Sequence, residues 1–65
     1  MTKEKILEVL KEKEKSASEI SVNIGRNFYI VTNLLKELVE EGKIEKLEVG
    51  KHILWKLKEE EKNGV

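Results

Sequence analysis

The stretch from Asn27 to Gly42, NFYIVTNLLKELVEEG, constrains the fold most, because it reads as one helix with two faces that each need a partner. Val31, Leu35, Leu38 and Val39, with Phe28 one turn earlier, fall at the i, i+3, i+4 and i+7 spacings of a stripe that must be buried. On the opposite side Tyr29, Thr32, Asn33 and Lys36 repeat that spacing with hydrogen-bonding side chains, whose amide and ammonium groups suit base edges and phosphates. The rest of the chain must supply a core for the first face and leave the second open.

At 65 residues the chain is one domain, near the size at which a single apolar core suffices. Thr2 caps a first helix over roughly Thr2 to Lys15, with Ile6, Val9 and Leu10 as its stripe, Leu7 at the core border, and the run from Lys11 to Lys15 as a solvated charged face. Ser16-Ala17-Ser18-Glu19 is a capping box that starts a second helix. That helix is short, since Gly25 supplies a left-handed residue to end it, and Ile20 and Ile24 face the core. Asn27 then caps the third helix after only two or three residues, so helices two and three spell a helix-turn-helix.

After Gly42 the periodicity changes. Ile44 to Leu57 is rich in β-branched and aromatic residues and breaks at Gly50-Lys51, a two-residue hairpin loop. That loop places Ile44 opposite Leu57, Lys46 opposite Trp55 and Glu48 opposite Ile53, with Ile44, Ile53, Trp55 and Leu57 turned to the helices. Leu47, Val49 and Leu54 on the other face, with Val22, Ile30 and Leu34, are surplus to one core and predict a homodimer contact. The fold expected is mainly α with a β-hairpin: a domain over residues 1–58 of three helices and a two-stranded wing, followed by a charged, frayed tail over 59–65.

These pieces in this order resemble the winged helix-turn-helix family of transcription regulators, over nearly the whole chain. The resemblance rests on SASEISVNIG for helix two and its glycine turn, VTNLLKELVEEGKIEK for the recognition helix running into the first wing strand, and VGKHILWKL for the wing. It implies binding of double-stranded DNA, with the third helix (27–42) in the major groove and the wing (44–57) on the backbone. By the same resemblance Tyr29, Thr32, Asn33 and Lys36 face the bases, where Asn33 suits an adenine edge, Lys36 guanine or phosphate, and Thr32 a thymine methyl. Ser16, Ser18, Arg26, Lys46 and Lys51 would hold phosphates, with Lys56 a weaker member of that set. Two departures bear on this: the recognition helix has one basic residue near its reading face and carries Glu37, Glu40 and Glu41 in its second half, so it would enter by its amino-terminal half; and Phe28 and Ile30 stand where relatives are often polar.

Composition bounds the alternatives. Lys and Arg number 13 and so do the acids, all of them Glu, so no basic excess attracts phosphate and the placement of charge must do so instead. Zero cysteines and the single His52, expected to be solvated, predict no disulfide, metal or cofactor, and the absence of a Ser/His/Asp set or a glycine-rich phosphate loop predicts no enzyme. No small-molecule ligand is expected in a chain this small. Charges throughout the N-terminus predict no signal peptide and no membrane partner, hence a cytoplasmic, nucleoid-associated protein. Lys and Glu enrichment without Gln or Cys predicts a thermophilic source, which with the resemblance reads as a small archaeal or archaeal-virus regulator. The competing reading is a winged-helix module for protein contact, which the neutral charge and surplus apolar residues favour.

Overall fold

The computed structural model describes residues 2–58; the tail expected to fray, 59–65, lies outside them. Three helices, α1 (Thr2–Leu10), α2 (Ala17–Ile24) and α3 (Phe28–Glu40), precede an antiparallel hairpin of β1 (Ile44–Val49) and β2 (His52–Leu57). The hairpin has the expected register, Ile44 to Leu57, Lys46 to Trp55 and Glu48 to Ile53, and turns at Gly50-Lys51.

The core is one cluster with a contribution from every element: Ile6 and Leu10, Ile20, Val31, Leu35 and Leu38, Ile44 and Trp55. Each fully buried aliphatic side chain contributes about 1.5–3 kcal/mol, and in a chain so close to minimal size no one of them is dispensable. Leu7 borders this core as expected, and Leu34, read from the sequence as surplus, packs against it too.

Four expectations about packing change. The first helix stops at Leu10 instead of reaching Lys15, because the next stripe positions, Lys13 and Glu14, offer nothing to bury. Lys15 instead pairs with β2: its N–H donates to the Trp55 carbonyl at 3.1 Å and its carbonyl accepts from the Trp55 N–H at 2.8 Å. It is buried, so the reading of Lys11–Lys15 as a solvated helical face fails at its last residue. Phe28 and Val39 are 43% and 37% exposed, because they lie in the first and last turns of α3, where the stripe overruns the layer beneath it. Ile53 is on the face assigned to it but 44% exposed, since β2 runs past the helices toward the turn and only its Trp55 end reaches them.

The turn between α2 and α3 is fixed locally. Gly25 adopts φ 69°, and the Arg26 N–H closes back on the Ser21 carbonyl at 3.1 Å, a Schellman ending that a β-carbon would strain. α3 ends the same way, with Lys43 N–H on the Leu38 carbonyl at 3.0 Å and Gly42 at φ 78°.

Candidate nucleic-acid interface

Local capping positions the polar residues. Ser16 is extended, and its Oγ accepts the Glu19 N–H at 3.2 Å, leaving its hydroxyl proton free to donate outward at the start of α2. Ser18 is exposed beside it, its carbonyl accepting from Ser21 Oγ at 2.8 Å. At the start of α3, Asn27 Oδ1 accepts the Tyr29 N–H at 2.7 Å, which aims the first helical turn outward. Tyr29 is 74% exposed, with its ring edge-on to Phe28 at a centroid distance of 5.8 Å. Asn33 and Lys36 are exposed on the following turns. Thr32 is half-buried, and its hydroxyl donates to the Tyr29 carbonyl at 2.9 Å, so its hydrogen goes to its own helix and its methyl group is what it presents.

Two hollows run along the seam between α3 and the hairpin. The first, of about 260 Å³, brings together Ser16, Ala17 and Ser18 of the α2 start, Phe28 and Thr32 of α3, and Ile53 and Trp55 of β2. The second, of about 280 Å³, is lined by Lys36, Val39 and Glu40 of α3, Lys46 of β1 and again Trp55. Trp55 floors both. The structure thus gathers five residues singled out in the sequence, Ser16, Ser18 and Thr32 in one hollow, Lys36 and Lys46 in the other. Arg26 at the turn and Lys51 at the hairpin tip are exposed but line neither. Sequence reasoning assigned Phe28 to the core and gave Ala17 and Ile53 no role here; only the overrun of the stripe at its ends signals them.

The charges sort by side. Lys3 of α1 reaches across to Glu37 at 3.0 Å and Glu41 at 2.7 Å, so two of the three acids of the recognition helix are engaged on the α1 side, away from the seam. The hydrogen bond to Glu41 holds the Lys3 ammonium above its ordinary value, and the same bond holds the Glu41 carboxyl below its own. Lys46 is 3.9 Å from Glu48, a loose surface pair, and Glu40 stands beside Lys36 and Lys46 in the second hollow. The even balance of charge owes much to the tail: Glu59, Glu60 and Glu61 lie there with Lys62, so residues 2–58 carry twelve basic against ten acidic side chains. His52 is exposed beside the turn, as expected. Among the described residues no three His, Cys, Asp or Glu side chains group as a metal site, and no helix is long and apolar enough to cross a membrane.

No protein-family model matches the sequence, and no curated protein matches it either. Solved structures do. A Lactococcus lactis ZitR variant superposes with a TM-score of 0.84 at 30% identity, covering 89% of this chain and 42% of that one. The same variant in complex with DNA gives 0.83 at 30% identity over the same shares. The homodimeric winged helix-turn-helix DNA-binding domain of Mycobacterium bovis Mb0332, described as a possible ArsR-family transcriptional regulator, gives 0.82 at 21% identity, covering 86% of this chain and 52% of that one. The chain thus spans about half the length of the proteins it superposes on.

Proposed function

We propose that this chain, a winged helix-turn-helix domain, binds double-stranded DNA and regulates transcription. The observation that carries the reading is the seam: hydroxyls at the start of α2 and the Lys36 and Lys46 ammoniums flank one face of the α3–hairpin junction, on a fold that one neighbour uses in complex with DNA. α3 enters the major groove by its amino-terminal half, where Tyr29, Asn33 and Lys36 are exposed, while Glu37 and Glu41 in its second half are engaged by Lys3 on the α1 side. Asn33 pairs with an adenine edge; Ser16, Ser18, Arg26, Lys46 and Lys51 hold phosphates and set the register without reading sequence. As in the homodimeric neighbour, two copies act together. The domain acts by occupying a promoter, without an effector ligand and without catalysis.

Fluorescence anisotropy on mixed-sequence duplex DNA across a salt series tests this. Log K falls with log salt at about −0.9 per phosphate contact; Lys51→Ala lowers the slope by about one contact, and Asn33→Ala leaves the slope unchanged while relaxing sequence preference in site selection. Absence of binding at low salt discards the reading. The protein-contact alternative then leads, favoured by Val22 and Ile30, which are 80% and 48% exposed on the helix-turn-helix.

A further inference from the structure

β2 has a neighbour on both edges, β1 on one side and Lys15 on the other. Among the described residues β1 is paired on one edge only. The ladder fixes which of its backbone groups are left over. Trp55 turns its N–H and carbonyl to Lys15, at 2.8 Å and 3.1 Å, so Leu54 and Lys56 on either side of it bond to β1, opposite Leu47 and Glu45. The Lys58 N–H on the Lys43 carbonyl, at 3.1 Å, keeps the same alternation. The N–H and carbonyl groups of Ile44, Lys46 and Glu48 therefore point away from the hairpin, and of these three residues Ile44 is buried while Lys46 and Glu48 are exposed. Open edges are commonly blunted by proline, by a bulge or by charges that repel a second strand. This edge has no proline, pairs with β2 residue for residue without a bulge, and carries charges of both signs, Lys46 and Glu48, only loosely paired at 3.9 Å.

Resting on the reading above that two copies act together, we infer that β1 pairs antiparallel with β1 of a second copy, about a two-fold axis at Leu47, and joins the two hairpins into one sheet. The register follows from the ladder and the charges. Only residues whose backbone points outward can bond across the axis, so with Ile44 buried the axis passes through Lys46, Leu47 or Glu48. An axis at Lys46 sets that residue against itself, and one at Glu48 does the same, which puts like charges in direct opposition. An axis at Leu47 sets Lys46 of each copy against Glu48 of the other. It also places Leu47 against Leu47 in the non-hydrogen-bonded position, where side chains approach closest. Glu45 then lies opposite Val49, which is 51% exposed in one copy. The strand complements itself in that register alone, and this self-complementarity identifies the occupant as a second copy of the chain. A carboxylate uses one of the three donors of an ammonium, so the pairing leaves Lys46 able to hold a phosphate as well.

The test uses the full chain without DNA. By sedimentation equilibrium, Lys46→Glu and Glu48→Lys each weaken the dimer roughly ten-fold, because both cross-strand pairs turn from attraction to repulsion. An equimolar mixture of the two variants dimerises as the wild type does, and so does the chain with both reversals, which excludes misfolding as the cause of the single losses. The chain has no cysteine, so one introduced into β1 reads the axis directly. Cα atoms of a non-hydrogen-bonded pair are about 4.5 Å apart, within disulfide reach. Leu47→Cys, checked for an intact thermal transition, oxidises to a cross-linked dimer, whereas Glu45→Cys and Val49→Cys cross-link only when mixed with each other. The inference is overturned if the dimer forms but neither charge reversal weakens it, or if Leu47→Cys fails to cross-link; two copies then join through another face and the two-copy reading stands. A wild type that is monomeric at all working concentrations removes the two-copy reading and this inference with it. DNA binding is untouched by either failure, since no duplex is present.

Discussion

Thr32 shows how one hydrogen bond decides what a residue can read. A threonine on the exposed side of a helix offers both a hydroxyl and a methyl, and sequence alone leaves both available. Here the hydroxyl donates to the Tyr29 carbonyl at 2.9 Å, so its proton is engaged within its own helix and the methyl is the group left for a partner. The substitutions therefore separate in an order opposite to that of a hydroxyl reader. Thr32→Val keeps the methyl and retains wild-type affinity for the selected duplex, whereas Thr32→Ser keeps the hydroxyl and loses about four-fold, the same as Thr32→Ala. Anisotropy titrations of the three variants check it; an affinity for Thr32→Ser equal to the wild type, with Thr32→Val weakened, would show that the hydroxyl reads after all. Asn33 has no comparable intrahelical bond to weigh, and its amide is exposed.

At the scale of elements, α3 is held in place at both ends by contacts of different kinds, and its acidic end is tied to α1 by Lys3. The pair with Glu41 has a defined pH window. Glu41 titrates below its ordinary 4.5, so its contribution to stability is full above that value and is lost as pH falls through the lowered one. Lys3 titrates above its ordinary 10.5, so its contribution is full below that value and is lost as pH rises through the raised one. Thermal unfolding of Lys3→Met should thus lie below the wild type at neutral pH, with the two converging on the acid side once Glu41 is protonated. The difference also shrinks in high salt, because the pair is at the surface. A constant difference down to pH 2 would mean that Lys3 stabilises by packing of its stem and not by charge. This cross-link was not legible in the sequence, since Lys3 and Glu41 are far apart in the chain and their meeting depends on how α1 lies over α3. The elements themselves were legible where the signal was local: Ser16, Gly25, Asn27, Gly42 and the Gly50-Lys51 turn all fix boundaries through their own backbone preferences. The end of α1 was not, because KEKEK is as good a helix sequence as any and only the empty stripe positions at Lys13 and Glu14 hinted that the chain would leave the helix. Lys15 is then recruited by the open edge of β2, an interaction between segments distant in sequence.

For the whole molecule the question is whether one copy has enough charge to hold DNA. Residues 2–58 carry a surplus of two basic side chains, and of the five phosphate contacts proposed above, Ser16, Ser18, Arg26, Lys46 and Lys51, only three are cationic. Such a copy alone would bind weakly at physiological salt, since phosphate contacts by Lys and Arg supply most of the salt-dependent affinity. Two copies on one duplex make the second encounter intramolecular and double the number of cations engaged. Apolar side chains outside the seam that stay exposed in one copy are Val22, Ile30 and Val49, at 80%, 48% and 51%. A two-fold dimer presents its two α3 helices about 34 Å apart, one turn of the duplex, and so selects an inverted repeat with half-site centres about 10–10.5 base pairs apart. Sedimentation should accordingly show a dimer at micromolar protein, site selection should return that inverted repeat, and the salt slope on the full repeat should be about twice that on a duplex holding a single half-site. A monomer at all working concentrations, together with selected sites that lack inverted symmetry, would leave each copy to bind by its own three cations, and the slope on any duplex would then stay near three contacts or fewer.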